Sequence, residues 1–333
     1  MVVPETTLRP TRPRRRVTWG DPRTRVALVL VVAAVLVGVF LLWDLPSAWQ
    51  YVLPLRAKKL ATLAVVATAI AVSTVLFQTV AGNRILTPGI MGFDALYILI
   101  QTLTVFFFGA ATLGALDSTL KWVVEVAIMV GAVTLLYRWL FFGARRSLHL
   151  LVLVGIIFGT LFRSVSSFVQ RILDPTEFAV LQDNLFARFN TVNETLLLIS
   201  AVAIAAVGVV LVTHRRVFDV LALGQDISIG LGVDHRRVVM TILVLIGVLV
   251  SVSTALVGPI TFFGLLVANL AYAIVGDRHA HSIPAAIGLG VIALVGGQFV
   301  LERVFSFATS LSIIIEFLGG IVFIMLVLGR RAR

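Results

Sequence analysis

The chain has 333 residues, 59% of them hydrophobic and 13% charged, with a formal net charge of +11 and a mean hydropathy of +1.07. A soluble domain carries about 25% charged and 45–50% apolar residues, so the composition excludes an ordinary soluble fold. The absence of cysteine excludes a disulfide framework, a thiolate metal site and a catalytic thiol.

A membrane span needs about 20 mostly apolar residues. Residues 1–25 are polar, proline-containing and arginine-rich, and read as a basic cytoplasmic tail. The run 26–43 is long enough to span and is followed by no small-residue cleavage site, so it reads as a retained first helix. Further apolar runs predict helices over 60–80, 90–109, 122–142, 148–168, 194–213, 238–257, 259–275, 283–301 and 311–328. The expectation is an all-α polytopic membrane protein of about ten transmembrane helices, with a permease domain over 26–329 and a short cytoplasmic tail over 330–333. The runs 90–109 and 259–275 are short and Gly/Pro-interrupted, and read as tilted, broken or partly re-entrant.

An even number of spans places both termini on one side. Most of the 27 lysines and arginines then fall on that side, which the positive-inside rule assigns to the cytoplasm. Arg56, Lys58 and Lys59 oppose the rule. Two loops are long. Residues 163–193 lie on the outer side and have room for a short interfacial helix. Residues 214–237 lie on the inner side, and their amphipathic part, 218–234, is too polar to span. It reads either as a plain surface loop or as a docking element that enters a groove of a cytoplasmic partner.

No GxxxxGK[ST] phosphate loop and no HExxH pair occurs in the sequence, so this chain does not itself cradle ATP and no cofactor is expected on it. It reads as a conduit and not as an enzyme.

Three ordered stretches carry a resemblance. Gln78 is followed by Gly82-Asn-Arg-Ile-Leu-Thr-Pro-Gly-Ile-Met-Gly92. Leu223-Gly224, Ser228 and Leu231-Gly232 form the second. Gly258-Pro-Ile-Thr-Phe-Phe-Gly-Leu-Leu-Val-Ala-Asn-Leu-Ala-Tyr272 is the third. From about Arg56 onward the chain resembles the permease subunits of bacterial ABC importers for ferric siderophores, haem and vitamin B12, the iron-chelate uptake permease family. The first stretch looks like the family's glutamine, Asn-Pro-Leu-Ala-x-Pro and Leu-Gly pattern. Asn83, Pro88 and Gly92 match, and Arg84 stands where proline is usual. The second resembles its Leu-Gly-x-x-x-Ala-x-x-Leu-Gly coupling segment, with Ser228 for alanine. The third resembles Gly-x-Ile-x-Phe-x-Gly-Leu-x-x-Pro-His-x-x-Arg. Gly258, Ile260, Phe262, Gly264 and Leu265 match, whereas Ala268, Asn269 and Tyr272 depart. The departures look like the branch that imports catecholate or mixed catecholate siderophores.

The resemblance implies a fold like that of the vitamin B12 importer permease, in the bacterial cytoplasmic membrane, paired with a second, related permease. It implies two cytoplasmic ATPase subunits, which carry ATP and magnesium, and an extracytoplasmic siderophore-binding lipoprotein. It also assigns coupling to the ATPases to Asp219, Leu223, Gly224, Ser228, Leu231 and Gly232.

Polar residues inside apolar runs are costly and face a path or a partner. Gln78, Asn83, Asp94, Asn269 and Glu316 are therefore expected at the translocation path or a subunit contact, with helix-to-helix hydrogen bonding as the plainer role for the amides, Gln101 and Gln298 included. Asp94 also suits a helix N-terminus, and Glu125 is placed near a helix end, reaching the interface. Gly155-x-x-x-Gly159 is a close-packing signature. The fragment Asp277-Arg-His-Ala-His281 resembles a metal motif, but a solvated loop explains it equally well, and no metal ligand is assigned. Phe106, Phe107 and Phe108 read as a lipid-facing or interfacial patch. An ion- or proton-coupled secondary transporter is the alternative function; it would favour repeated halves, and no clear internal repeat is present.

Overall fold

Long apolar runs with polar ends can satisfy their backbone in a bilayer only as helices, and helices dominate the structure. The computed structural model describes residues 20–44, 47–111, 117–141, 148–189, 192–305 and 310–331; most of the N-terminal tail and the last two residues of the C-terminal tail lie outside that set. In chain order the helices are α1 (Pro22–Leu42), α2 (Trp49–Ala81), a 3-10 turn (Pro88–Met91), α3 (Phe93–Phe108), α4 (Ser118–Phe141), α5 (Leu148–Gln170), α6 (Pro175–Leu185), α7 (Glu194–Leu221), α8 (Gln225–Gly230), α9 (His235–Val257), α10 (Phe263–Val275), α11 (His279–Arg303) and α12 (Leu311–Arg331). Seven of these, α1, α2, α4, α5, α7, α9 and α11, are long and apolar enough to cross a membrane, and α3, α10 and part of α12 are shorter apolar helices. Together they account for every expected span.

The layout is a ring of helices around α2. The most apolar window of α2 is 72% buried, against 17–22% for α1, α4, α5 and α7. Lipid offers no hydrophobic drive for helix association, so close contact depends on small side chains. Accordingly α2 buries Ala67, Ala69, Ala71, Ser73 and Thr74 among its larger apolar residues. The peripheral helices expose apolar side chains such as Leu28, Val31, Leu198 and Val202.

Several boundaries differ from the sequence expectation, each for a local reason. α2 begins at Trp49, well before residue 60. The basic residues that read as loop are on this helix and are held: Arg56 donates to the carbonyls of Leu41 and Trp43 at 3.0 and 2.7 Å, Lys58 pairs with Glu194 at 3.4 Å, and Lys59 pairs with Glu302. The charges that oppose the positive-inside rule are thus matched by carboxylates and helix-end carbonyls. α5 continues past Arg163 to Gln170, and α7 continues through His214 to Leu221. The 163–193 segment does contain a short helix, α6, capped by the Asp174 side chain on the Thr176 amide at 2.9 Å.

Candidate coupling turn and membrane cavity

One end of the bundle gathers the start of α1, the end of α2, the end of α7, α8, the end of α10 and the start of α11. Arg25 Nη1 donates to the Ile274 carbonyl at 2.7 Å, Arg84 pairs with Asp277 at 2.6 Å, and Thr79 Oγ1 lies 2.8 Å from His279 Nε2. The α8 turn projects from this end. α7 stops after Leu221, the chain reverses at Gly224 with φ +98°, and a second reversal follows at Gly232 with φ +82°. L-residues rarely adopt that region. A side chain at either glycine would meet nothing within 4 Å, so the requirement is conformational and not one of space.

Between the reversals Ser228 is fully buried. Its Oγ donates to the Gln225 carbonyl and lies 2.8 Å from His235 Nδ1, tying α8 to the start of α9. Leu223, Ile227, Ile229 and Leu231 are all more than half exposed, leaving an apolar knob beyond the end of the apolar helices. Asp219 lies behind the knob on the last turn of α7. Its Oδ1 accepts from the His279 backbone N–H at 3.1 Å and pairs with His279 Nδ1 at 2.7 Å. Burial acts to raise the Asp219 pKa, but the hydrogen bonds from His279 outweigh it and hold it below the ordinary carboxylate value.

The second feature is a cavity of about 570 Å³ inside the apolar region, bordered by α2, α3, α5, α9 and the segments 87–90 and 259–262. Gly159 of α5 lies at its wall, about 16 Å along that helix from Leu148, which places the cavity near mid-membrane. Two interrupted helices begin here. α3 runs from the cavity toward α6, with Gly109 beside Glu177. α10 runs the opposite way, toward Asp277. With 13 residues it is about 20 Å long, too short to cross ~30 Å of hydrocarbon. Non-helical backbone at this depth is tolerated where it lines a cavity, as in discontinuous transporter helices. Both N-termini therefore present their positive dipole ends to the space. Asp94 sits in the first turn of α3, buried, with its carboxylate over Gly89.

The structure separates the expected path residues. Asp94 lines the cavity. Glu316 accepts a hydrogen bond from Thr261, itself at the cavity wall. Gln78, Asn83 and Asn269 do not line it. Gln78 Nε2 and Asn269 Nδ2 both donate to the Arg84 carbonyl, at 2.8 and 3.0 Å, and Asn83 Oδ1 accepts from the Ile85 amide at 2.9 Å. These three amides fix the 82–87 loop, the packing role. Gln101 donates to Glu125 at 2.7 Å between α3 and α4. Glu125 is 5% exposed and so does not reach the interface as expected; Lys121, 3.7 Å away, supplies its counter-charge. Gly155 and Gly159 receive the 3-10 turn, with Gly92 packed on Gly159 and Met91 on Gly155. In the Asp277–His281 fragment, Asp277 pairs with Arg84 and the His279 ring with Asp219 and Thr79. Phe106, Phe107 and Phe108 are exposed, as a lipid-facing patch requires.

Two cavity residues escaped sequence reasoning. Arg163 lines the space, yet in sequence it reads as the boundary of an apolar run. Phe262 is half exposed with φ +57°, a conformation costly for a non-glycine residue. The motif match at Phe262 gives no sign of that conformation or of its place at the cavity.

Residues 24–329 match the model of the FecCD transport family. The chain is 46% identical over 305 residues, 91% of its length and 96% of the relative's, to the petrobactin import system permease protein YclO of Bacillus subtilis (strain 168). It is 41% identical over 261 residues, 78% of its length and 74% of the relative's, to the petrobactin import system permease protein FatC of Bacillus anthracis. A solved structure described as an inward-facing conformation of a metal-chelate type ABC transporter superimposes with a TM-score of 0.81 at 22% identity, over 92% of this chain and 99% of that one. That likeness establishes the fold.

Proposed function

The chain belongs to the FecCD transport family, and from that premise we propose that it is the permease subunit of an ABC importer that carries a ferric siderophore of catecholate or mixed type across the bacterial cytoplasmic membrane. The observation that carries the substrate class is the 46% identity, over nearly the full length of both chains, to a petrobactin import permease. The α8 turn supports ATP-driven coupling: its apolar knob suits a groove on a cytoplasmic ATPase, in a helix-in-groove contact, with Asp219, Leu223, Gly224, Ser228, Leu231 and Gly232 as the coupling residues. ATP and magnesium are then bound by two partner ATPase subunits, and an extracytoplasmic lipoprotein delivers the chelate. A second, related permease completes the path; α5, which lines the cavity, and α12, bonded to its wall through Glu316 and Thr261, expose apolar side chains such as Leu161 and Phe317 that such a partner would cover. Asp94 and Glu316 are the path or subunit-contact residues that the geometry favours. Both termini and the 214–237 loop face the cytoplasm, and the permease domain covers 26–329.

The test is reconstitution with a second permease, the ATPases and the binding protein in proteoliposomes. Uptake of the ferric chelate is expected to require both ATP and the binding protein. Uptake driven by an ion gradient in the absence of the ATPases would overturn the reading in favour of a secondary transporter.

A further inference from the structure

Beside the α8 turn, where α1, α7 and α11 meet, lies a separate cleft of about 280 Å³, lined by Arg23, Arg216, Asp219, Arg278, Ala280 and His281. Three guanidinium groups face one carboxylate there, and that carboxylate already accepts from the backbone and ring of His279. None of Arg23, Arg216 and Arg278 has an ion pair among the described residues, whereas nearby Arg84 is neutralised by Asp277. The Nδ1 atom of His281 is buried and has no hydrogen-bond partner among the described residues. The cleft is therefore a concentration of donors and positive charge around a single carboxylate.

We propose that this cleft binds the phosphate of an anionic phospholipid from the adjacent leaflet. Guanidinium forks match phosphate oxygens in charge and geometry, a chemistry shared by a lipid headgroup and a free phosphate. The surroundings select the lipid. Leading away from the cleft along the bundle, α1 exposes Leu28, Val31 and Val35, and α7 exposes Val212, Val209 and Val202. The acyl chains of a lipid held by its phosphate have these apolar walls to lie against; a free anion gains nothing from them. The three arginines flank the points where the apolar runs begin, at Val26 on α1 and Ile283 on α11, and end, at Thr213 on α7. That is headgroup level, and basic pockets between helices at this level suit anionic headgroups. A bound phosphate would bridge the first turn of α1, the last turns of α7 and the start of α11, which steadies the base of the α8 turn. The binding inference stands on charge and position alone and is independent of the transport reading.

The full-length protein, purified and placed in nanodiscs of phosphatidylcholine with or without phosphatidylglycerol, provides the test. Native mass spectrometry is expected to show phosphatidylglycerol retained in preference to phosphatidylcholine. The triple variant R23Q/R216Q/R278Q is expected to lose that preference by about tenfold or more, since it removes the three charged donors offered to the phosphate. Arg171→Gln, at the other end of the bundle, serves as the charge control and is expected to retain it. If the triple variant does not insert, Arg216→Gln alone is compared in the same way and is expected to weaken retention in part. Undiminished phosphatidylglycerol retention in the variants would overturn the proposal. Inorganic phosphate that raises the melting temperature as much as the lipid does would overturn the lipid assignment.

Discussion

Gln78 on α2 and Asn269 on α10 donate their side-chain amides to one acceptor, the main-chain carbonyl of Arg84. The Arg84 guanidinium in turn lies 5.1 Å from the centre of the Tyr272 ring, a cation–π contact. Arg84, Asn269 and Tyr272 are three of the positions at which the sequence departs from the iron-chelate permease pattern. They are neighbours in space, so the departures form one exchanged cluster in which the cation sits on the loop and not on α10.

The shared acceptor makes a prediction about additivity. Gln78→Leu and Asn269→Leu are each expected to cost about 0.6–1 kcal/mol, because either variant leaves the Arg84 carbonyl one donor. The double variant removes both, and its cost is expected to exceed the sum by about 0.5 kcal/mol or more. Thermal unfolding of the four proteins in detergent measures the cycle; strict additivity would show that the two bonds act separately.

The α8 reversals predict a coupling defect without a folding defect. Gly224→Val and Gly232→Val place β-branched residues at φ +98° and +82°, at about 1–2 kcal/mol each. Membrane insertion is expected to be normal, whereas ATP-dependent uptake falls by about tenfold, the effect expected when a docking knob is displaced by more than its fit tolerates. Uptake and ATPase activity in the same proteoliposomes separate the two effects.

Burial tends to raise the Asp219 pKa, and the hydrogen bonds from His279 prevail and lower it. A carboxylate whose folded pKa lies below its unfolded value of about 3.9 contributes stability above that unfolded value. The contribution is lost as pH falls through the depressed folded value. Asp219→Asn is therefore expected to lower the melting temperature at neutral pH, and the gap from the unmodified protein is expected to close in acid. A gap that widens in acid would contradict the assignment.

A Cβ on Gly92 would approach the Gly159 Cα to 2.8 Å, with φ at +95° as a second obstacle. Gly92→Ala is expected to destabilise the protein by about 1–3 kcal/mol, read as a lowered melting temperature, and to move the 3-10 turn away from α5 at the cavity wall.

Because the chain contains no cysteine, a single cysteine at Leu231, exposed on the α8 turn, can be labelled without background. In intact cells it is expected to react with a membrane-permeant maleimide and not with an impermeant one. Reaction with the impermeant reagent would place the turn outside and end the coupling assignment.

Hydropathy made the spans legible, because a bilayer-crossing helix must be apolar along its whole length. The ends were less so. Arg56, Lys58 and Lys59 read as loop because a charge pattern does not reveal its partners, and Glu194 and Glu302 lie far along the chain. The chain reversals at Gly224 and Gly232 were legible, since glycine is the residue that most readily adopts positive φ. The residues around the cavity were legible only in part. Asp94 and Glu316 proved to be at or beside the cavity, while Gln78, Asn83 and Asn269 turned to backbone groups of the loop and α10. An amide in an apolar run shows that a partner exists, but the helix rotation that decides between water and backbone is set by packing.

The 33-residue α2 is about 50 Å long and reaches both ends of the bundle. About a third of the way along it Lys59 is fastened to α11 through Glu302, and near its finish Thr79 meets α11 again at His279, itself fastened to Asp219 at the root of the α8 turn. The two rods are pinned together twice, about 30 Å apart, like the stiles of a ladder joined by two rungs. A displacement of Asp219 is therefore felt by α2 as well as by α11, through a chain of side-chain contacts that lies apart from the cavity, whose described lining includes no α11 residue.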